Sequence, residues 1–410
     1  MRNSLATGLL AAFALIQGCG GGGGGGDAAT PAAAAPSANT IAPIVANVHP
    51  ISVNLGLVGN VNLAFTSVTL CAPGSSSNCQ TIDNIVIDTG SSGLRIVSSA
   101  LAASLVLTQQ TDVKGNPVVA CAHFVDGYTW GPVKLADLQL AGERANSLPI
   151  QVIGDPEFPT APARCAATGP SKNSVQALRA NGILGVSVFR QDCGSDCAQP
   201  NNRGMYYSCA SSVCQQTPMP LAQQVQNPVS LFAVNNNGVI IQLPSVPAAG
   251  AARAGGALVF GIGTQANNAL GGATVIGLDP ASGNFTTRYG GNSYSASFID
   301  SGSNGLFFSD SIAVCASASA APGFYCPAST INASAVIEGA NGASATIPFS
   351  VANAAALLTD NPGFTAFGNL GAPFIANSFD RGLPFFYGRK VYTAIEGAST
   401  PAGPGPYVAF

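Results

Sequence analysis

The sequence predicts an all-β protein of two similar halves, and three observations carry that prediction. A twelve-residue stretch occurs twice, as Ile85-Val86-Ile87-Asp88-Thr89-Gly90-Ser91-Ser92-Gly93-Leu94-Arg95-Ile96 and as Ser297-Phe298-Ile299-Asp300-Ser301-Gly302-Ser303-Asn304-Gly305-Leu306-Phe307-Phe308. Six of the twelve positions are identical, and Thr89 faces Ser301 as hydroxyl for hydroxyl. Each copy reads as a buried strand, a tight loop carrying a carboxylate, and a departing strand. The composition agrees: 47% of residues are hydrophobic and 8% charged, with 49 Gly and 28 Pro, which suits short strands and turns rather than long exposed helices. Finally, 410 residues suffice for two domains, expected at 41–235 and 236–410 with one Asp loop in each.

Residues 1–18 read as an export signal, with Arg2 before an apolar core from Leu5 to Ile16 that is too short to span a bilayer. The core runs into Ile16-Gln17-Gly18-Cys19, which resembles a bacterial lipoprotein processing site. That resemblance implies cleavage before Cys19 and acylation of its sulfur and new amine, enough chains for a stable membrane anchor. Seven glycines, Gly20 to Gly26, and an Ala/Pro-rich run to residue 39 follow. They cannot bury a core, so 19–40 is expected to be a tether. The expected location is the bacterial envelope. Gly20 after the acylated Cys, by resemblance to lipoprotein sorting, favours the outer membrane.

With Cys19 set aside, ten cysteines remain: Cys71, Cys79, Cys121, Cys165, Cys193, Cys197, Cys209, Cys214, Cys315 and Cys326. An even number in an exported chain suggests five disulfides. Cys71 with Cys79, and Cys315 with Cys326, could each close a local loop, which leaves Cys121 and Cys165 for each other. The cluster Cys193, Cys197, Cys209 and Cys214 could hold zinc. Two disulfides fit better, because the compartment is oxidising and the spacings are not those of a zinc ribbon.

Within the folded part, Val61 to Leu70 and Thr81 to Ile87 read as a hairpin delivering the first Asp loop. Residues 118–142 read as a second hairpin with its tip near Asp126-Gly127, followed by an alternating strand. Gly182-Ile183-Leu184-Gly185 is a short apolar strand between glycines. Asn235-Asn236-Asn237-Gly238 signals a turn near the boundary of the halves. Strands are expected at Ala257 to Gly261, at Ser293 to Ile299 and within 383–395, and Gly368-Asn369-Leu370-Gly371 echoes the earlier Gly-x-Leu-Gly frame.

Two carboxylates brought within a few Å cannot both ionise easily, so they share a proton. One can then take a proton from water while the other polarises a scissile carbonyl. Gly90 and Gly302 allow close backbone approach. Thr89 and Ser301 can tie the loops together, and Ser91 and Ser303 can fix the outer carboxylate oxygens. A pair of structural turns in a duplicated β fold would show the same spacing. A His-based nucleophilic site is poorly served by His49 and His123. His123 is expected to be an ordinary strand residue, Trp130 to pack, and the Asn284-Phe285-Thr286 sequon to be incidental.

On Asp88-Thr89-Gly90-Ser91, Asp300-Ser301-Gly302-Ser303 and the Ile183-Leu184-Gly185 strand, the chain resembles the pepsin-like aspartic peptidases, closest to a bacterial group of exported pepsin-like lipoproteins. The resemblance spans most of 55–410. It implies a bilobal double-ψ β-barrel architecture with the active cleft between lobes, and catalytic roles for Asp88 and Asp300. It also implies an apolar-Gly strand behind each Asp loop: Ile183-Leu184-Gly185 in the first half, and Asn369-Leu370-Gly371 or Phe386-Tyr387-Gly388 in the second. The family's flap Tyr aligns with Phe124, which has no hydroxyl, with Tyr128 nearby. No inhibitory propeptide resembling the family's basic segments is visible in 27–40. The expected activity is endopeptidase, and the alternative is a non-cleaving surface protein that binds peptides or proteins. A peptide or protein substrate and a membrane anchor are the expected partners, with no metal or cofactor and a monomeric chain. A formal charge of -3 without a basic run excludes nucleic acid.

Overall fold

A computed structural model describes residues 46–200, 203–211 and 213–410. The export signal, the lipidation site Cys19 and nearly all of the tether therefore lie outside the described residues. The described chain is all-β, with 43% strand and 10% helix, built as one closed six-strand barrel and a second that is nearly closed.

The first barrel follows from the hairpin that precedes Asp88. Ala64–Cys71 pairs with Cys79–Asp88, and alternation puts Ile85 and Ile87 fully inside. Cys79–Asp88 then pairs in parallel with Gly182–Val186. That strand runs antiparallel to Ser92–Val97, which pairs in parallel with Glu143–Ile153. Gly127–Leu140 lies next, and closes the circuit by pairing with Ala64–Cys71 at Leu70 and Leu138. Leu94, Ile96, Leu138, Ile150 and Leu184 fill the interior with no exposed surface. The hairpin Val118–Phe124 and Gly127–Leu140 turns at Val125-Asp126, where the Asp-Gly signal places its tip.

The second barrel repeats the plan. Phe285–Tyr289 pairs with Asn292–Ile299, which delivers Asp300. Phe379–Arg381 runs parallel to Asn292–Ile299 and antiparallel to Leu306–Phe308. Gly371–Ala372 pairs in parallel with Leu306–Phe308. The first sheet continues beyond its barrel from Ala64–Cys71 to Val48–Val53, then through Ala254–Phe260, Gly238–Gln242, Lys390–Ala394 and Tyr407–Ala409 to Val275–Gly277.

One expectation is overturned here. The strand that crosses behind the second Asp loop is neither Asn369-Leu370-Gly371 nor Phe386-Tyr387-Gly388. It is Phe379-Asp380-Arg381, followed by Gly382. In register, Gly382 falls opposite Asp300 as Gly185 does opposite Asp88. A Cβ on Gly382 would lie 2.4 Å from the Ser303 carbonyl, and one on Gly185 2.7 Å from the Ser91 carbonyl. Each loop therefore presses on its crossing strand so closely that only glycine fits. Gly371 instead takes the place that Glu143–Ile153 holds in the first barrel, while Leu383–Phe385 is a 3-10 turn rather than the start of a strand.

All ten cysteines after Cys19 are paired: Cys71–Cys79, Cys121–Cys165, Cys193–Cys197, Cys209–Cys214 and Cys315–Cys326. The zinc alternative at 193–214 is thereby excluded, since no thiolate is left to ligate. Five disulfides mark a protein of an oxidising compartment outside the cytoplasm. Among the described residues, no helix is long and apolar enough to cross a membrane.

Candidate active site

Each Asp sits where its strand ends and the chain must turn. The Asp88 Oδ1 accepts from the Gly90 amide (2.7 Å) and the Ser91 amide (3.2 Å), and Oδ2 accepts from the Ser91 hydroxyl (2.5 Å). Asp300 repeats this with the Gly302 amide at 2.7 Å and the Ser303 hydroxyl at 2.8 Å. Backbone and hydroxyl donors thus fix both rotamers before any substrate arrives.

The loops are laced to each other with two-fold symmetry. The Thr89 amide donates to Ser301 Oγ (3.1 Å), and the Ser301 amide donates to Thr89 Oγ1 (3.0 Å). The two hydroxyls then reach across, Thr89 to the Ile299 carbonyl (3.2 Å) and Ser301 to the Ile87 carbonyl (2.7 Å). All four bonds join residues more than 200 positions apart, so they are what holds the halves in register at this point.

The role of Gly90 and Gly302 is now specific. Neither has the left-handed backbone that a turn glycine often needs. A Cβ on Gly90 would lie 2.7 Å from the Asp300 carboxyl carbon, and one on Gly302 3.0 Å from that of Asp88. Each glycine makes room for the carboxylate of the opposite half.

The carboxyls come together at Gly302, where a Cβ would touch both Asp88 and Asp300, and Asp300 is held well above the usual carboxylate range. The first cause is burial, followed by the charge of Asp88 and then by that of Asp380. Asp380 went unnoticed in the sequence because it sits in the unrecognised crossing strand, where the first half has the apolar Ile183. It is 2% exposed, and burial followed by the Asp88 charge raises its own pKa well above the ordinary value. Its Oδ1 has no hydrogen-bond partner among the described residues. The second half thus backs its loop carboxyl with a buried acid, and the first half does not.

A pocket of about 190 Å³ opens beside the dyad, with walls from both halves that include Thr89, Gly90, Val188, Phe189, Leu278 and Phe298. The hairpin residues are placed apart from it. Phe124 pairs across the hairpin with Gly127. Tyr128 packs in a cluster with Trp130, Tyr207 and the Cys121–Cys165 bridge. The tip is pinned from outside by Lys172 on Asp126 (2.6 Å) and by Cys165 on Cys121. His123 lies 3.1 Å from the Cys121 sulfur, but both cysteines of that cluster are in the disulfide, so no thiolate is present for a metal.

A family model described as "Protein of unknown function (DUF3443)" matches residues 43–410. The chain belongs to this family. The matched span takes in both Asp loops, both crossing strands and all five disulfides of this DUF3443 member. No curated protein matches the chain.

Proposed function

We propose that the protein is an aspartic endopeptidase of pepsin-like, double-ψ architecture, exported and held at the bacterial envelope by acylated Cys19. The observation that carries this reading is the pair of carboxyls brought together by a two-fold lattice of Thr89 and Ser301 bonds. The crossing strand at Gly185 and its counterpart at Gly382 support the fold assignment, because each is parallel to one arm of its Asp loop and antiparallel to the other.

Asp300 keeps its proton and hydrogen-bonds to the substrate carbonyl. Asp88 accepts a proton from the water between the two carboxyls, and that water attacks the polarised carbon. The tetrahedral intermediate collapses when the amine leaves with a proton from the dyad. The outer hydroxyls of Ser91 and Ser303 hold the carboxyl planes throughout. The apolar walls at Phe189, Leu278 and Phe298 favour an apolar side chain next to the scissile bond.

The test is cleavage of an unfolded protein by residues 41–410, oxidised, from about pH 3 to 7, the span in which one of two coupled carboxyls is protonated. Asp88→Asn and Asp300→Asn run beside it. Cleavage by the parent and by neither variant supports the reading. Intact substrate with a folded, disulfide-complete parent moves the assignment to a peptide-binding surface protein, for which the pinned hairpin and the absent hydroxyl at Phe124 supply the structural reason.

A further inference from the structure

A second, larger cavity lies away from the dyad, at the second barrel. It measures about 390 Å³, within the range of small-molecule sites. Its walls come from the strands Leu306–Phe308, Ile331–Glu338, Ser344–Val351 and Phe379–Arg381, and from the turn that follows Gly382. Two arginines line it, Arg381 and Arg389, and no Asp or Glu does.

Arg381 is the anomaly. It is 0% exposed, and its Nε, Nη1 and Nη2 all lack a hydrogen-bond partner among the described residues. Its neighbour Asp380 cannot neutralise it, since successive side chains on a strand point to opposite faces and Asp380 faces the dyad. The guanidinium lies 4.6 Å from the Phe379 ring centre and 5.8 Å from that of Phe385. Arg389, half-buried, lies 4.7 Å from the same Phe385 ring and is fixed there by donating to the Phe385 carbonyl at 2.7 Å. Ring faces offset some of the desolvation but accept none of the N–H groups. Burial and the charge of Arg389 push the Arg381 pKa down to about 9, which leaves it charged at neutral pH. Two cations thus meet at one ring with no anion supplied by the protein.

We propose that this cavity binds a small organic carboxylate, its head taken by Arg381 and Arg389 and its apolar body lying against Leu306, Ile347, Pro348 and Phe349. A planar carboxylate matches the guanidinium fork and satisfies the donors that the fold leaves unpaired. The apolar walls select for a body that inorganic anions lack. The Arg381 carbonyl accepts the Asp300 amide (3.1 Å), so the site backs onto the second Asp loop without sharing the cleft. The inference goes beyond the peptidase reading and does not depend on it.

Calorimetric titration of the oxidised protein at pH 7 with acetate, hexanoate, benzoate, benzamide and inorganic phosphate tests it. Saturable binding of hexanoate or benzoate is expected, with acetate and phosphate at least tenfold weaker and the neutral benzamide silent. Arg389→Gln, at a half-buried position, is expected to weaken binding at least tenfold, and Arg381→Met to abolish it. Asp88→Asn is expected to bind as the parent does, which separates this site from the cleft. No saturable binding of any carboxylate, equal binding of benzamide, phosphate as tight as benzoate, or unchanged affinity in Arg389→Gln would each overturn the proposal. Should Arg381→Met not fold, Arg389→Gln and the benzamide comparison decide the matter alone.

Discussion

At the residue scale, the site is symmetric in its bonds and asymmetric in its charge. Ser91 and Ser303 do the same work on the two carboxyls, yet only Asp300 has a second acid behind it. The Asp380 charge is one of the causes that hold Asp300 above the ordinary carboxylate range. Asp380→Asn keeps the shape and removes that charge. The alkaline limb of the pH–rate profile, set by loss of the Asp300 proton, is therefore expected to move to lower pH. The measurement is kcat/KM against pH for parent and variant, and an unmoved limb would show that Asp380 acts only in packing. The sequence could not have pointed to this residue by pattern, because a buried Asp in a short strand looks like a surface Asp until the register is known.

At the scale of elements, the hairpin Val118–Phe124 and Gly127–Leu140 is braced by the Cys121–Cys165 bridge, which closes a loop of 44 residues. Loop-closure entropy for that length amounts to roughly 4 kcal/mol. Cys121→Ala with Cys165→Ala is expected to lose up to about that much in urea unfolding and to loosen the hairpin tip. A variant as stable as the parent would place the bracing in Lys172–Asp126 and the Trp130 packing instead. The elements were unequally legible. The first Asp hairpin, the tip at Asp126-Gly127 and the crossing strand at Ile183-Leu184-Gly185 follow from alternation and from turn residues. The second crossing strand did not. Asp380 and Arg381 replace the two apolar residues of the frame, and Gly368-Asn369-Leu370-Gly371 offered a decoy with the right glycines. Propensity has no access to a charged pair buried for a reason that lies in another segment of the chain. The five disulfides fared better, because four of the five bridges close loops of eleven residues or fewer.

At the scale of the molecule, buried acids set the response to pH. Burial raises the Asp192 pKa to about 6, against the opposing pull of Arg95 at 3.0 Å and of the Tyr206 hydroxyl at 2.6 Å. Asp300 and Asp380 are raised as well. A carboxyl whose folded pKa exceeds its unfolded value binds its proton more tightly in the native state. The stability it contributes is complete below about pH 4 and is lost as pH rises through the folded pKa. For Asp192 the window runs from about pH 4 to about 6 and spans about 2–3 kcal/mol. The oxidised protein is thus expected to unfold at higher urea concentration at pH 4 than at pH 7, and the opposite order would contradict the raised pKa values of these buried acids. The central claim, that the two halves meet to make one water-activating dyad, is tested most directly by digestion of an unfolded protein in water enriched in oxygen-18, with mass spectrometry of the new C-termini. The account predicts one heavy oxygen in each new carboxylate from the parent and no new termini from Asp88→Asn or Asp300→Asn. New termini that persist in either variant, or an intact substrate beside a folded parent at every pH, would contradict it.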